Sequence, residues 1–229
     1  MHNTWIEGFY RNVLHEQRYL LILDGLKTTA VISIWALLLG TVLGILICRL
    51  RLARSPWLAL PARAFIAVMR GVPLLVILMI NFYVVFAAVN IEAVHVAILT
   101  FGVNFAAYVA EIYRAGIASV DRGQTEAGLA LGFTRIQTFT HIVAPQALRY
   151  ILPVYKGEAI SMIKMTSVVG YIAVQDLTRA ADIIRSRTFD AFFPLIMVAI
   201  LYFLFAWLLL AGLTGLEARL SAGRPVRRR

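Results

Sequence analysis

An all-α integral membrane fold of about five transmembrane helices, with a helix in the membrane interface at its N terminus, follows from three features of the sequence. Hydrophobic residues fill 61% of the 229 positions and charged ones 15%, against roughly 45–50% and about 25% in soluble domains. Five stretches are apolar for the roughly 20 residues that a helix needs to cross about 30 Å of hydrocarbon, where no unpaired backbone group is tolerated. Between those stretches the arginines are unevenly shared, as membrane topology requires. So apolar a chain has too little polar surface for a separate soluble core, and residues 1–229 read as one membrane domain.

Residues 1–22 contain Glu7, Arg11, His15, Glu16 and Arg18, so they lack the unbroken apolar centre of a cleavable signal peptide and are expected to persist. Trp5, Ile6, Phe9, Tyr10, Val13 and Leu14 recur at helical spacing among the charges. That pattern suits a helix lying in the interface, or equally one packed on the rest of the protein. The first span, about 26–48, carries Gly40 and Gly44 four residues apart, a small-residue face that lets another helix come close. The second, about 60–88, contains Arg70, Gly71 and Pro73.

The third span covers about 93–113, the fourth about 148–172 and the fifth about 192–216. Lys156, Glu158 and Lys164 interrupt the fourth, and Pro153 removes a backbone donor in its early turns. Segment 174–191 between the last two spans is expected to be a helix on the outer surface, with Leu177, Ala180, Ala181 and Ile184 on its inward face.

Thirteen arginines share one side of this layout: Arg49, Arg51, Arg54 and Arg63 up to the start of the second span, Arg114, Arg122, Arg135 and Arg149 in or beside the long loop 115–147, and Arg219, Arg224, Arg227, Arg228 and Arg229 after the fifth span. The opposite segments hold six cations and seven acids. Lysine and arginine accumulate on the cytoplasmic side, so the N terminus is placed outside and the C terminus inside. The net charge of +10 is therefore topological: the basic residues flank apolar spans and form no nucleic-acid patch. The single cysteine, Cys48, excludes an intrachain disulfide and a cysteine-cluster metal site, and no phosphate-binding glycine loop for ATP is present.

The loop 115–147 holds the most informative pattern: Glu126-Ala127-Gly128, three residues, Gly132, nine residues, then Ile142-Val143-Ala144-Pro145. A short amphipathic helix over about 125–131, ended by Gly132 and followed by a helix that Pro145 starts, would make a rigid knob at the membrane surface. Gln124, Glu126 and Arg135 are its polar handles. The pattern resembles the coupling motif of permease subunits of ATP-binding-cassette (ABC) importers, with Gly128 standing for the usual Ala and Ala144 for Leu.

Other segments extend the resemblance over most of the chain. Gly25-Leu26-Lys27-Thr28-Thr29, Arg70-Gly71-Val72-Pro73-Leu74-Leu75, Ala107-Tyr108-Val109-Ala110-Glu111-Ile112-Tyr113-Arg114, Pro145-Gln146-Ala147-Leu148-Arg149 and Ile163-Lys164-Met165-Thr166-Ser167 look like polar amino acid permeases of the histidine and glutamine uptake type. Gly157 and Met165 depart from that pattern, where Asn and Asp are common. The resemblance implies the type I ABC importer permease fold and a subunit that is not an enzyme and has no cofactor of its own. It also implies two ATPase subunits that bind ATP and Mg, a second permease, either a copy or a paralogue, and an external solute-binding protein that delivers an amino acid across the inner membrane. Gln124, Glu126, Ala127, Gly128, Gly132, Arg135 and Pro145 would then couple to the ATPase.

An ionised group inside hydrocarbon costs at least about 2.5–3.5 kcal/mol, so Glu158 and Lys164 should face an interior cavity. Glu158, Ser161 and Lys164 follow at three-residue steps and form a polar stripe. A zwitterionic ligand would find an acceptor for its ammonium in Glu158 and a donor for its carboxylate in Lys164. A Glu158–Lys164 tie, or snorkelling of both groups, would explain the same charges. Arg70 and Glu111 are similar intramembrane charges; Arg70 lies where a kink at Pro73 frees carbonyls to line a cavity, or else marks a loop end. Asn81 is a further pathway candidate, although an apolar span more often uses Asn, as also at Asn104, to bond another helix. An ion-driven transporter is the rival reading of these charges; five spans without internal repeats argue against it.

Overall fold

The computed structural model describes residues 2–221 and is helical throughout its regular structure. Arg224, Arg227, Arg228 and Arg229, four of the arginines used to orient the chain, lie outside the described residues. Among the described residues three helices are long and apolar enough to span a membrane, and two further bent helix pairs bring the number to as many as five if each is one span. Packing divides the chain into two compact units, one of residues 1–36, 73–101 and 160–229 and the other of residues 37–72 and 102–159.

In the first unit, α1 (His2–Phe9) continues through a π turn, Tyr10–Leu14, and a short 3-10 turn, His15–Gln17. Left-handed backbone at Glu16 and Gln17 then redirects the chain into α2 (Arg18–Arg51), so the first span's helix begins inside the segment assigned to the interface. Arg18 can sit at the start of that helix because its charge is satisfied: it is 5% exposed and donates to the Arg11 carbonyl (2.6 Å) and to Glu16 (2.9 Å).

After α3 (Pro56–Gly71) come α4 (Leu74–Ile80), with a π turn at Asn81–Val85, and α5 (Ala93–Ala118). The C-terminal part of the first unit is a 3-10 stretch, Thr166–Ile172, followed by a surface helix, Leu177–Thr188, and the last span, Phe192–Ser221. The surface helix buries Leu177, Ala180, Ala181 and Ile184, the face expected from periodicity. Ile22 and Val198 close that core. Asp176 caps the helix by accepting from the amides of Thr178 (3.2 Å) and Arg179 (2.9 Å), and the Tyr202 hydroxyl donates to the same carboxylate.

The second unit is built on close approach of α2 and α5. A Cβ on Gly40 would stand 2.7 Å from the Gly102 carbonyl oxygen, and one on Gly44 would stand 2.5 Å from Val109. The small-residue face is thus filled by backbone contact. Cys48, Ile66, Ala107 and Ala110 form the core beside it, which makes Cys48 a packing residue.

Candidate coupling helix and pathway residues

Loop 115–147 is mostly helical. After α5, Asp121 caps α6 (Arg122–Ala130) by accepting from the Gly123 amide at 2.7 Å. The other end closes with two reversed bonds, Phe133 N–H to the Gly128 carbonyl (3.1 Å) and Gly132 N–H to the Leu129 carbonyl (3.0 Å). This is a Schellman ending, and it needs left-handed backbone at Gly132, whose φ is +86°. A helix of nine residues is marginal on its own; caps at both ends and one seated face hold this one.

The seat is Gly128, the one buried residue of α6. A Cβ there would lie 2.7 Å from Thr138 Cγ2 and 2.9 Å from Ile142 Cδ1, so the departure from Ala at this position matches a site with little room for a methyl. Gln124 is tied from outside, accepting from Gln146 Nε2 at 3.1 Å. Glu126, Ala127 and Arg135 are exposed, and Leu131 and Ile136 expose about three quarters of their surface. An exposed apolar pair beside charged handles on a capped helix is the composition of a docking knob.

Pro145 does not start a helix as expected. Helix α7 (Arg135–Thr138), begun by a Thr134–Gln137 capping box, passes through a π turn, Phe139–Val143, into α8 (Ala144–Met165). Pro145 therefore falls ten residues inside a continuous helical run, just after the wider turn, whose altered bonding accommodates the missing N–H.

Helix α3 ends at Gly71 because Val72 is extended (φ −104°, ψ 136°) and Pro73 offers no N–H. The carbonyl four residues before Pro73, that of Met69, loses its helical donor. Asn104 Nδ2 replaces it at 2.7 Å. Arg70, held at this break, lies over the Tyr108 ring at 5.3 Å. The structure thus brings Arg70 and Tyr108 together, while Glu158 lies within α8 (Ala144–Met165). Ser161 and Lys164 follow on the same helix, Lys164 exposed.

Asn81 donates to Thr100 Oγ1 at 2.9 Å. Glu111 is held between Arg51 and Arg114, tying the end of α2 to α5. Glu111 was visible in the sequence as an intramembrane charge; Tyr108 under Arg70, and Arg51 as a partner of Glu111, were not, because neither is legible without knowing which helices touch.

The family model for a binding-protein-dependent transport system inner membrane component matches residues 36–222. The chain belongs to that family. Among relatives of this inner membrane component, the "Probable amino-acid ABC transporter permease protein YckA" of Bacillus subtilis (strain 168) is 37% identical over 197 residues, 86% of this chain and 87% of that protein. The octopine transport system permease protein OccM of Rhizobium radiobacter is 36% identical over 76% of this chain and 75% of its own.

A solved amino acid ABC transporter with histidines matches with a TM-score of 0.80 at 36% identity, over 90% of this chain and 97% of that one. The inward-facing MetNI methionine ABC transporter matches at 0.67 and 19% identity, covering 84% and 96%, which supports the fold alone. The fold of this inner membrane component is that of a type I importer permease, and its named relatives are transport subunits rather than enzymes.

Proposed function

We propose that this permease forms half of the translocation pathway of an ATP-driven importer for polar amino acids. Two ATPase subunits carrying ATP and Mg grip α6 from the cytoplasm, a second permease completes the pathway, and an external solute-binding protein delivers the ligand. The N terminus lies outside and the C terminus in the cytoplasm. The observation that carries this reading is α6 itself, a short helix capped at both ends and seated through Gly128 against the run that becomes α8. A lever so fixed transmits closure of a motor as a rigid-body shift of the flanking spans.

In the pathway, Glu158 receives the ligand's ammonium, and Arg70, held over Tyr108, receives its carboxylate; Ser161 and Lys164 continue the polar stripe along α8. Arginine suits the second role because its planar fork matches a carboxylate. Asn81 holds a smaller part, orienting its helix through Thr100.

Replacing Glu158 with Gln in the assembled transporter and measuring uptake against amino acid concentration tests the pathway. Uptake should fall at least about tenfold, the value of one charged hydrogen bond in a partly wet site. Unchanged uptake and affinity would remove Glu158 from the route.

A further inference from the structure

Two cavities lie end to end between the N-terminal segment and the last span, α10 (Phe192–Ser221 after α9, Leu177–Thr188), and share Phe192 and Phe193. The first, of about 330 Å³, is walled by Phe9 and Val13 on one side and by Ile196, Met197, Ile200 and Leu201 on the other, with no polar residue among them. From Phe192 to Leu201 this slot follows α10 for about 13 Å at 1.5 Å per residue. The second, of about 840 Å³, opens beside Glu7, Tyr10, Arg11 and Asp190. Arg11, paired with Asp190 at 3.0 Å, and Glu7 line this mouth, and the apolar slot leads away from it.

We propose that this groove binds a phospholipid with an amine-bearing zwitterionic headgroup, phosphatidylethanolamine in type. An acyl chain fills the slot, the phosphate meets Arg11, which Asp190 holds in place, and the ammonium meets Glu7. Charge complementarity selects this occupant. Arg11 gives one N–H to Asp190 (3.0 Å), and its guanidinium carries five donors, enough to serve a phosphate as well. An anionic lipid would set its surplus charge against two carboxylates, and a soluble zwitterion would leave the slot empty.

The last span favours a lipid too. Only 6% of its most apolar stretch is buried within this chain, so the slot is cut into a surface that hydrocarbon can reach. The site is independent of the transport reading above.

The test places the full chain in nanodiscs of phosphatidylcholine alone, or mixed with phosphatidylethanolamine or phosphatidylglycerol, and measures retained lipid by native mass spectrometry alongside hydrogen exchange of residues 7–14. Phosphatidylethanolamine should be retained over phosphatidylcholine by about tenfold, since only its ammonium donates hydrogen bonds, and exchange should slow with it. Ile196→Trp, which fills the slot, should abolish retention; Glu7→Gln, which leaves the Arg11–Asp190 pair intact, should erase the headgroup preference while keeping the chain. Equal retention of the two zwitterionic lipids, preference for phosphatidylglycerol, unchanged retention in Ile196→Trp, or a slot protected only when a second protein chain is added would each overturn the proposal.

Discussion

Asp190 shows how one side chain can serve two elements. Its Oδ1 accepts from the amides of Phe192 and Phe193 at the start of α10, while its Oδ2 accepts from Asn12 (2.8 Å) and Arg11 (3.0 Å) of the N-terminal segment. Burial pushes this carboxyl up, but the bonds from Asn12, the Phe193 amide and Arg11 together outweigh that and hold it below the usual aspartate range. A carboxylate so lowered stabilises the docked segment above its unfolded value of about 3.9 and loses that contribution as pH falls through the lower folded value. Hydrogen exchange of residues 8–14, corrected for intrinsic rate, is expected to be slow at neutral pH and to rise below about pH 4. Asp190→Asn should remove that step.

Asn104 is the second residue-scale case. Asn104→Leu leaves the Met69 carbonyl without a donor and should lower stability by about 1–3 kcal/mol, read as a fall in melting temperature of the purified protein. The sequence made both Asn104 and Pro73 visible, but not their relation, because a side chain 35 positions away in sequence caps the carbonyl that Pro73 orphans. The same holds for Tyr108, whose role depends on where Arg70 points once α3 stops.

At the scale of elements, the spans were legible because lipid imposes one rule on every backbone group. Their ends were less so. Helix α2 starts at Arg18, well before the apolar run, since Arg18 finds the Arg11 carbonyl and Glu16 and need not reach water. Pro145 was taken as a helix start on the general preference of proline for first turns; the π turn at Phe139–Val143 lets the helix run through it. The Gly40–Gly44 face was legible from its spacing alone, and its contact with α5 gives it a measurable consequence. Gly44→Leu should destabilise the chain by about 1–3 kcal/mol through overpacking against Val109. At the other glycine-dependent element, Gly132→Ala should cost about 1–2 kcal/mol for left-handed backbone without a clash, because nothing beyond its chain neighbours lies within 4 Å of the added carbon. Faster hydrogen exchange in α6 would register it.

For the whole molecule, the membership in the family of inner membrane components turns α6 from a surface helix into the expected site of force transfer. Its sequence spacing pointed there directly, whereas the departure at Gly128 became intelligible only when its neighbours Thr138 and Ile142 were in place. The central claim is that exposed α6, and Glu126 on it, is where a separate motor takes hold.

Glu126→Arg reverses one exposed charge without touching the seat of the helix. Reconstituted with its candidate ATPase and binding protein, this variant should melt at the wild-type temperature while ATPase association and amino acid uptake both fall at least about tenfold. Wild-type association and uptake in the same vesicles would contradict the account.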